Sequence, residues 1–256
     1  MILVVDIGNT FVTIGLYKNK KLEGISRFEH KHNMQAFALS KIFSSVYEKI
    51  NPQDAIISSV ADEITNEMIE AINDTYKINP LILTSDLELD INLKVKAPET
   101  IGADRLANIY AASILYPDKP LIVIDSGTAT TFDILDNNGD FIGGIIMPGL
   151  EMQFKALNEH TSKLPFISKE SYTKAHKIIC TNTKNEIISG TVRGYICSIE
   201  GLIKLCEQEL NAKPFVVITG GGAELIAEFL PKQYYNEVNL NLTLQGIGMI
   251  YERNID

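Results

Sequence analysis

The chain lacks the usual signatures of a metal-binding, nucleic-acid-binding or membrane protein. Its three cysteines, Cys180, Cys197 and Cys206, are an odd number at spacings that match no zinc or redox motif, so they read as small core residues in a reducing compartment. The four histidines, His30, His32, His160 and His176, show no helical ligand spacing, and His30-Lys-His32 alone is too little for a metal held by imidazole. Cationic residues are outnumbered, with a net charge of −9 and a pI near 5.0. They form no block that would neutralise the phosphates of a duplex, so no nucleic-acid partner is expected. The local trio Lys18, Lys20 and Lys21 reads as a solvated hairpin turn. No apolar run approaches the roughly 20 residues of a membrane span, and no basic-then-apolar leader precedes the first strand, so the expectation is a cytoplasmic protein with no membrane partner. A Gly-x-x-x-x-Gly-Lys-Ser/Thr segment is also missing, which argues against a P-loop enzyme.

What is present is organised around Ile2 to Tyr17. The apolar run Ile2-Leu-Val-Val5 reads as a strand covered on both faces, and Asp6 stands at its end. Gly8-Asn9-Thr10 makes a tight turn, and Phe11, Val12 and Ile14 resume the strand. Such a hairpin presents backbone N–H groups and the Thr10 and Thr13 hydroxyls to a phosphate, with Asp6 able to hold a cation beside it. An isolated Asp-x-Gly-Asn-Thr is equally a plain polar turn.

The remaining pattern is α/β. Lys21–Phe28 reads as a third strand; helices are expected from Met34 to Ile50, Glu63 to Tyr76 and Ala103 to Tyr116, with strands at Ala55–Val60 and Pro80–Thr84. Pro117-Asp-Lys-Pro120 is the best linker, and it divides the chain into domains at residues 1–117 and 118–256. After it the plan begins again. Leu121-Ile-Val-Ile-Asp125-Ser-Gly127 repeats the opening at an offset of 119 residues, pairing Asp6 with Asp125, Gly8 with Gly127, Leu16 with Leu135 and Leu22 with Phe141. A helix to about Asn158 follows Pro148-Gly149. Glu159–Ala175 is irregular, and Glu186–Leu210 is a long helix. Pro214–Thr219 is a strand running into Gly220-Gly221-Gly222, with a helix from Ala223 to Phe229. A short strand at Val238–Leu242 and a helix at Gln245–Arg253 close the chain.

Three constellations could carry chemistry. The turns after Asp6 and Asp125 supply carboxylates and hydroxyls, including Thr128, Thr130 and Thr131, but no cation of their own, so a polyphosphate there needs recruited metal. The Gly220–Gly222 run suits adenine and its ribose lying on bare backbone, and suits a strand-to-helix turn equally well. In Gly102-Ala103-Asp104-Arg105, the Asp and Arg read either as a helix cap or as a proton acceptor and a carboxylate clamp.

Taken together, Asp6-Ile-Gly-Asn-Thr10, Gly102-Ala-Asp-Arg105, Asp125-Ser-Gly-Thr-Ala129, Pro148-Gly149, Asn182-Thr183 and Gly220-Gly-Gly222 resemble the type III pantothenate kinases, in the superfamily of acetate and sugar kinases, Hsp70 chaperones and actin. The resemblance covers the whole chain. It implies two ribonuclease-H-like domains in an actin-like duplicated fold, with the active site in the interdomain cleft, and ATP-dependent phosphorylation of pantothenate as the first step of coenzyme A synthesis. By the same resemblance Asp104 is the proton acceptor, and Gly102, Ala103, Asp104, Arg105 and Thr183 meet pantothenate. Asp6, Ile7, Gly8, Asn9, Thr10, Phe11, Val12, Thr13 and Thr128 bind ATP, to which the residue reading adds Gly220, Gly221 and Gly222. Asp125 holds a monovalent cation, potassium or ammonium, and Asp6 acts through Mg-ATP. The family often has a tyrosine lining the pantothenate pocket seven residues before the Gly of Gly-Ala-Asp-Arg, where this chain has Val95. Family members are typically homodimers. The competing expectations are a nucleotide-binding regulatory protein, accessory to transcription, or a kinase of the same superfamily acting on another small acid.

Overall fold

The computed structural model describes residues 1–30, 35–46, 50–174 and 177–255; Met34 and residues 47–49 of the expected first helix, together with His32, Ala175, His176 and Asp256, lie outside them. The chain divides into two compact units, Met1–Leu115 with Asn241–Asp256, and Tyr116–Leu240.

In unit 1 the strands are β1 (Ile2–Ile7), β2 (Phe11–Lys18), β3 (Lys21–Glu29), β4 (Asp54–Ser59) and β5 (Leu81–Ile82). They lie in the order β3-β2-β1-β4-β5, with β2 antiparallel and β4 parallel to β1. The helices are α1 (Ala36–Val46), α2 (Asp62–Tyr76) and α3 (Ala103–Leu115). Leu3, Val5 and Ile7 of β1 point to one side and pack with Leu39 and Phe43 of α1 and Ile64, Met68 and Ile72 of α2. Val4 points to the other side, beside Leu106, Ala107 and Tyr110 of α3. Burial on both faces is why the strand reads as a continuous apolar run. The alternating stretch from Asp86 to Lys96 is irregular, with Leu87, Leu89, Ile91 and Leu93 against the α3 side.

Unit 2 repeats the plan. Its strands are β6 (Leu121–Ser126), β7 (Ala129–Leu135), β8 (Phe141–Pro148), β9 (Phe215–Thr219) and β10 (Glu237–Val238), in the order β10-β9-β6-β7-β8. The helices are α4 (Leu150–Glu159), α5 (Thr183–Leu210) and α6 (Ala223–Phe229). α5 starts a turn earlier than its apolar stripe suggests, because the Asn182 side chain accepts a hydrogen bond from the Asn185 N–H at 3.0 Å and caps it. The stretch expected to be irregular from Glu159 to Ala175 is so only in part: Glu159 ends α4 and Lys169–Lys174 forms a 3-10 helix. It is anchored by Ile167 and Tyr172, whose ring stacks on Phe154 at 4.2 Å.

The last helix, α7 (Leu242–Asn254), departs from the expected division at 117/118 by closing unit 1. Leu244, Ile247, Ile250 and Tyr251 complete the cluster formed by Val4, Tyr17 and α3. Gly246 permits this approach, since a Cβ there would strike the backbone of Ala107. Leu242, read from sequence as the end of a strand, is the first residue of that helix, and it is buried together with Leu244.

The two hairpins correct the ungapped repeat. Asp6 pairs with Thr13 and Ile7 with Val12, whereas Asp125 pairs with Thr131 and Ser126 with Thr130. The second turn is therefore one residue shorter, and β7 answers β2 at an offset of 118, so that Leu16 corresponds to Ile134. The next turn is one residue longer and restores 119, with Leu22 opposite Tyr17 and Phe141 opposite Leu135.

Candidate functional site

In each unit the acidic turn stands at the carboxyl ends of the parallel strand pair, where open α/β sheets place their ligands. In unit 1 these are β1 and β4. Asp6 ends β1 opposite Ser58, whose hydroxyl donates to Asp6 Oδ1 at 3.1 Å and aims the carboxylate. The turn beyond closes through Gly8 N–H donating to Phe11 O at 3.0 Å. Ile7 and Val12 are fully buried in the core, so what they offer a ligand is backbone. Asn9 is exposed, and the Phe11 ring lies under the Arg27 guanidinium at 4.4 Å.

His30 was not legible as a site residue. It follows β3, is 7% exposed, and grips both ends of the turn: its N–H donates to Thr10 O at 3.1 Å, and Nε2 lies 2.8 Å from Gly8 O. In unit 2 Gly149 makes the same backbone bond to Thr128 O at 3.1 Å, and a Cβ at that position would strike the Gly127 and Thr128 carbonyl oxygens. One turn is therefore clamped by a side chain and the other by close backbone contact.

The Gly102–Arg105 segment joins the unit 1 group through Val60. Val60 N–H donates to Ile7 O at 3.0 Å, and its Cγ1 lies 3.4 Å from where a Cβ on Gly102 would stand. Gly102 O accepts from Leu106 N–H at 3.0 Å and opens α3, which places Asp104 in the first turn. Asp104 Oδ1 accepts from Arg105 N–H at 2.8 Å. Burial nonetheless wins: desolvation pushes the Asp104 carboxyl above its ordinary value, and the Arg105 N–H and guanidinium only partly offset it. A carboxyl moved up from the usual range toward neutrality is better matched to taking a proton. Val95 lies half-buried in the irregular segment ahead of this turn.

In unit 2 the corresponding strands are β6 and β9. Asp125 stands in one row with Thr131 of β7 and Thr219 of β9, since directly paired residues share a face. The Thr131 and Thr219 hydroxyls are shielded from water and have no hydrogen-bond partner, an uncommon state for buried polar atoms. Gly220 has φ +86°, and a Cβ there would strike Asp125 Oδ1 and come within 2.8 Å of the Ser126 backbone N. Gly222 N–H donates to Ser126 O at 2.9 Å. The glycine run is therefore folded onto the Asp125–Ser126 backbone and starts α6 as well. Gly220→Ala is expected to destabilise this unit by about 1–3 kcal/mol through overpacking, measurable as an earlier unfolding midpoint in urea. Thr128 and Thr183 are exposed, Thr183 as the first residue of α5.

Among the described residues no group of three or more His, Cys, Asp or Glu converges on one point, and no helix is long and apolar enough to cross a membrane.

The sequence model of the type III pantothenate kinase family matches residues 2–205. Among solved structures, a conserved protein of the Baf family of transcriptional activators from Campylobacter jejuni aligns at TM-score 0.61 and 18% identity over 98% of each chain. The activator of the 2-hydroxyisocaproyl-CoA dehydratase from Clostridium difficile, solved with bound ADPNP, gives 0.55 and 10% over 97% of this chain and 92% of the other. Acetate kinase from Porphyromonas gingivalis gives 0.53 and 11% over 89% and 85%. At these identities the structural likeness is one of fold, the duplicated actin-like α/β architecture.

Proposed function

Because the chain belongs to the type III pantothenate kinase family, we propose that it transfers the γ-phosphate of ATP to the 4′-hydroxyl of pantothenate. The observation that carries this reading is the Asp104 carboxyl, half-buried at the start of α3 beside the carboxyl ends of β1 and β4 and raised by desolvation. In phosphoryl transfer the protein mainly positions reactants and neutralises charge, so one base and well-placed donors are enough. Asp104 accepts the hydroxyl proton. Gly102 and Ala103 leave room beside it, Arg105 and Thr183 grip the acid, and Val95 lines the same pocket in place of an aromatic ring.

The turns serve the nucleotide. Asp6, held by Ser58, faces Mg-ATP; the Ile7–Thr13 hairpin and Thr128 offer N–H and hydroxyl donors; Gly220–Gly222 receives the adenosine on bare backbone. The donor set at Asp125 fits a monovalent cation, since a carboxylate in a row with two unpartnered threonine hydroxyls is the all-oxygen environment that hard cations take. Potassium or ammonium bound there supplies positive charge against the phosphates. The homodimer is part of the same proposal, and the mass of the protein in solution tests it.

The likeness to a Baf family transcriptional activator favours a second reading, a nucleotide-binding regulator. The net charge of −9 argues against direct DNA contact, and a desolvated base with its arginine argues against lost catalysis. A coupled assay with pantothenate, ATP, magnesium and potassium separates them. Pantothenate-dependent ADP release is expected. Release only with a different small acid, or none at all, overturns the proposal. In the same assay His30→Ala, which removes the ring contact to Gly8 O and keeps the backbone bond to Thr10 O, is expected to raise the KM for ATP about tenfold, the equivalent of one hydrogen bond of ~1.4 kcal/mol, with little change in kcat.

A further inference from the structure

We propose that Tyr195 is a positioning residue for the nucleotide turn of unit 2, acting through Ser126 and Thr130 without touching substrate; this rests on the kinase reading above. Tyr195 lies midway along α5, is 1% exposed, and its ring packs with Ile122, Phe132 and Val192. Its hydroxyl is 2.9 Å from Ser126 Oγ and 2.7 Å from Thr130 Oγ1. Those two residues are register partners, the last rung before the Gly127–Ala129 turn, on the face opposite Asp125. A phenol has one proton, so it donates to one hydroxyl and accepts from the other, and both are held in fixed rotamers. Ser126 in turn accepts the Gly222 N–H at its carbonyl, so the hairpin turn, the glycine run and α5 meet at one residue, the run at its backbone and α5 at its side chain.

Unit 1 provides an internal control. There the rung before the turn is Ile7 with Val12, both fully buried in an apolar core. The same hairpin thus folds on an apolar rung, and folding alone does not require the three hydroxyls. Burying polar groups costs free energy unless they are hydrogen-bonded, and here their bonding fixes the peptide planes from Ser126 to Thr128. Thr128, which offers its donors to the nucleotide under the kinase reading, stands at the tip of this turn, two residues beyond Ser126.

The test uses the full chain with Tyr195→Phe, which keeps the ring, and Thr130→Val, which removes one bond from the strand side. Tyr195→Phe is expected to raise the KM for ATP about tenfold and the potassium needed for half-activation to a similar degree, with the KM for pantothenate unchanged within twofold. Thr130→Val shifts ATP in the same direction, and the double variant is no worse than the more affected single one. An unchanged KM for ATP, or equal shifts for both substrates, overturns the positioning role; if Tyr195→Phe does not fold, Thr130→Val decides alone. Should the wild-type chain fail to phosphorylate pantothenate, the kinase reading falls separately. Calorimetric titration of the same variants with ATP then decides the role of Tyr195, since weaker binding supports it and equal binding removes it.

Discussion

Asp104→Asn is expected to lower kcat with pantothenate about 10²–10⁴-fold, the range a positioned general base supplies, while ATP binding is retained. The same substitution is expected to raise the melting temperature at neutral pH. Because burial lifts the Asp104 carboxyl in the folded chain, the native state holds its proton to a higher pH than the unfolded state does. Stability therefore falls as pH rises from the unfolded value through the folded one, and above the folded value the whole cost of burying the charge is present. Asn removes that cost and still accepts the Arg105 N–H. The gain in melting temperature over wild type should be largest at pH 7–8 and vanish below roughly pH 4, near the ordinary carboxyl value. Thermal melts across pH alongside initial rates check both halves. Retained turnover would remove Asp104 as the base, and a lower melting temperature at pH 7 would show the carboxylate to be a stabilising cap.

The second large effect is expected at Asp125. Asp125→Ala takes the charge from the row completed by Thr131 and Thr219 and leaves the Gly220 approach unobstructed. The rate at subsaturating ATP should fall about 10²-fold or more, as when a preorganised electrostatic partner is lost. The remaining rate should be the same in potassium, ammonium and sodium salts. Initial rates in chloride salts of fixed ionic strength provide the measurement, and a variant still stimulated by potassium would place the cation elsewhere.

How far the sequence disclosed this arrangement depends on the range of the interactions involved. Asp6 and Asp125 were visible because strand, acid and glycine are neighbours in the chain. The paired deletion and insertion in the hairpins were not, because Thr131 takes the place of Thr13 only through cross-strand pairing. The start of α5 was hidden in the polar stretch Thr183-Lys-Asn-Glu186, although Asn182 is a cap residue that could have marked it. His30 reaches the Gly8 turn across 22 residues, and Tyr195 reaches Ser126 across 69, each looking like an ordinary member of its own segment. No local pattern records such contacts. The raised Asp104 carboxyl is likewise a property of surroundings drawn from distant parts of the chain.

The return of α7 to the first unit also bears on the order of events on the ribosome. Residues 116–240 form one continuous unit, whereas the unit that contains Met1 lacks Leu244, Ile247 and Ile250 until the chain beyond residue 240 has been made. Domains generally fold as units during translation, from the amino terminus onward. Here the order is expected to be mixed: the apolar cluster under α1 and α2 needs only early residues, whereas the one under α3 is completed after the whole second unit has been made.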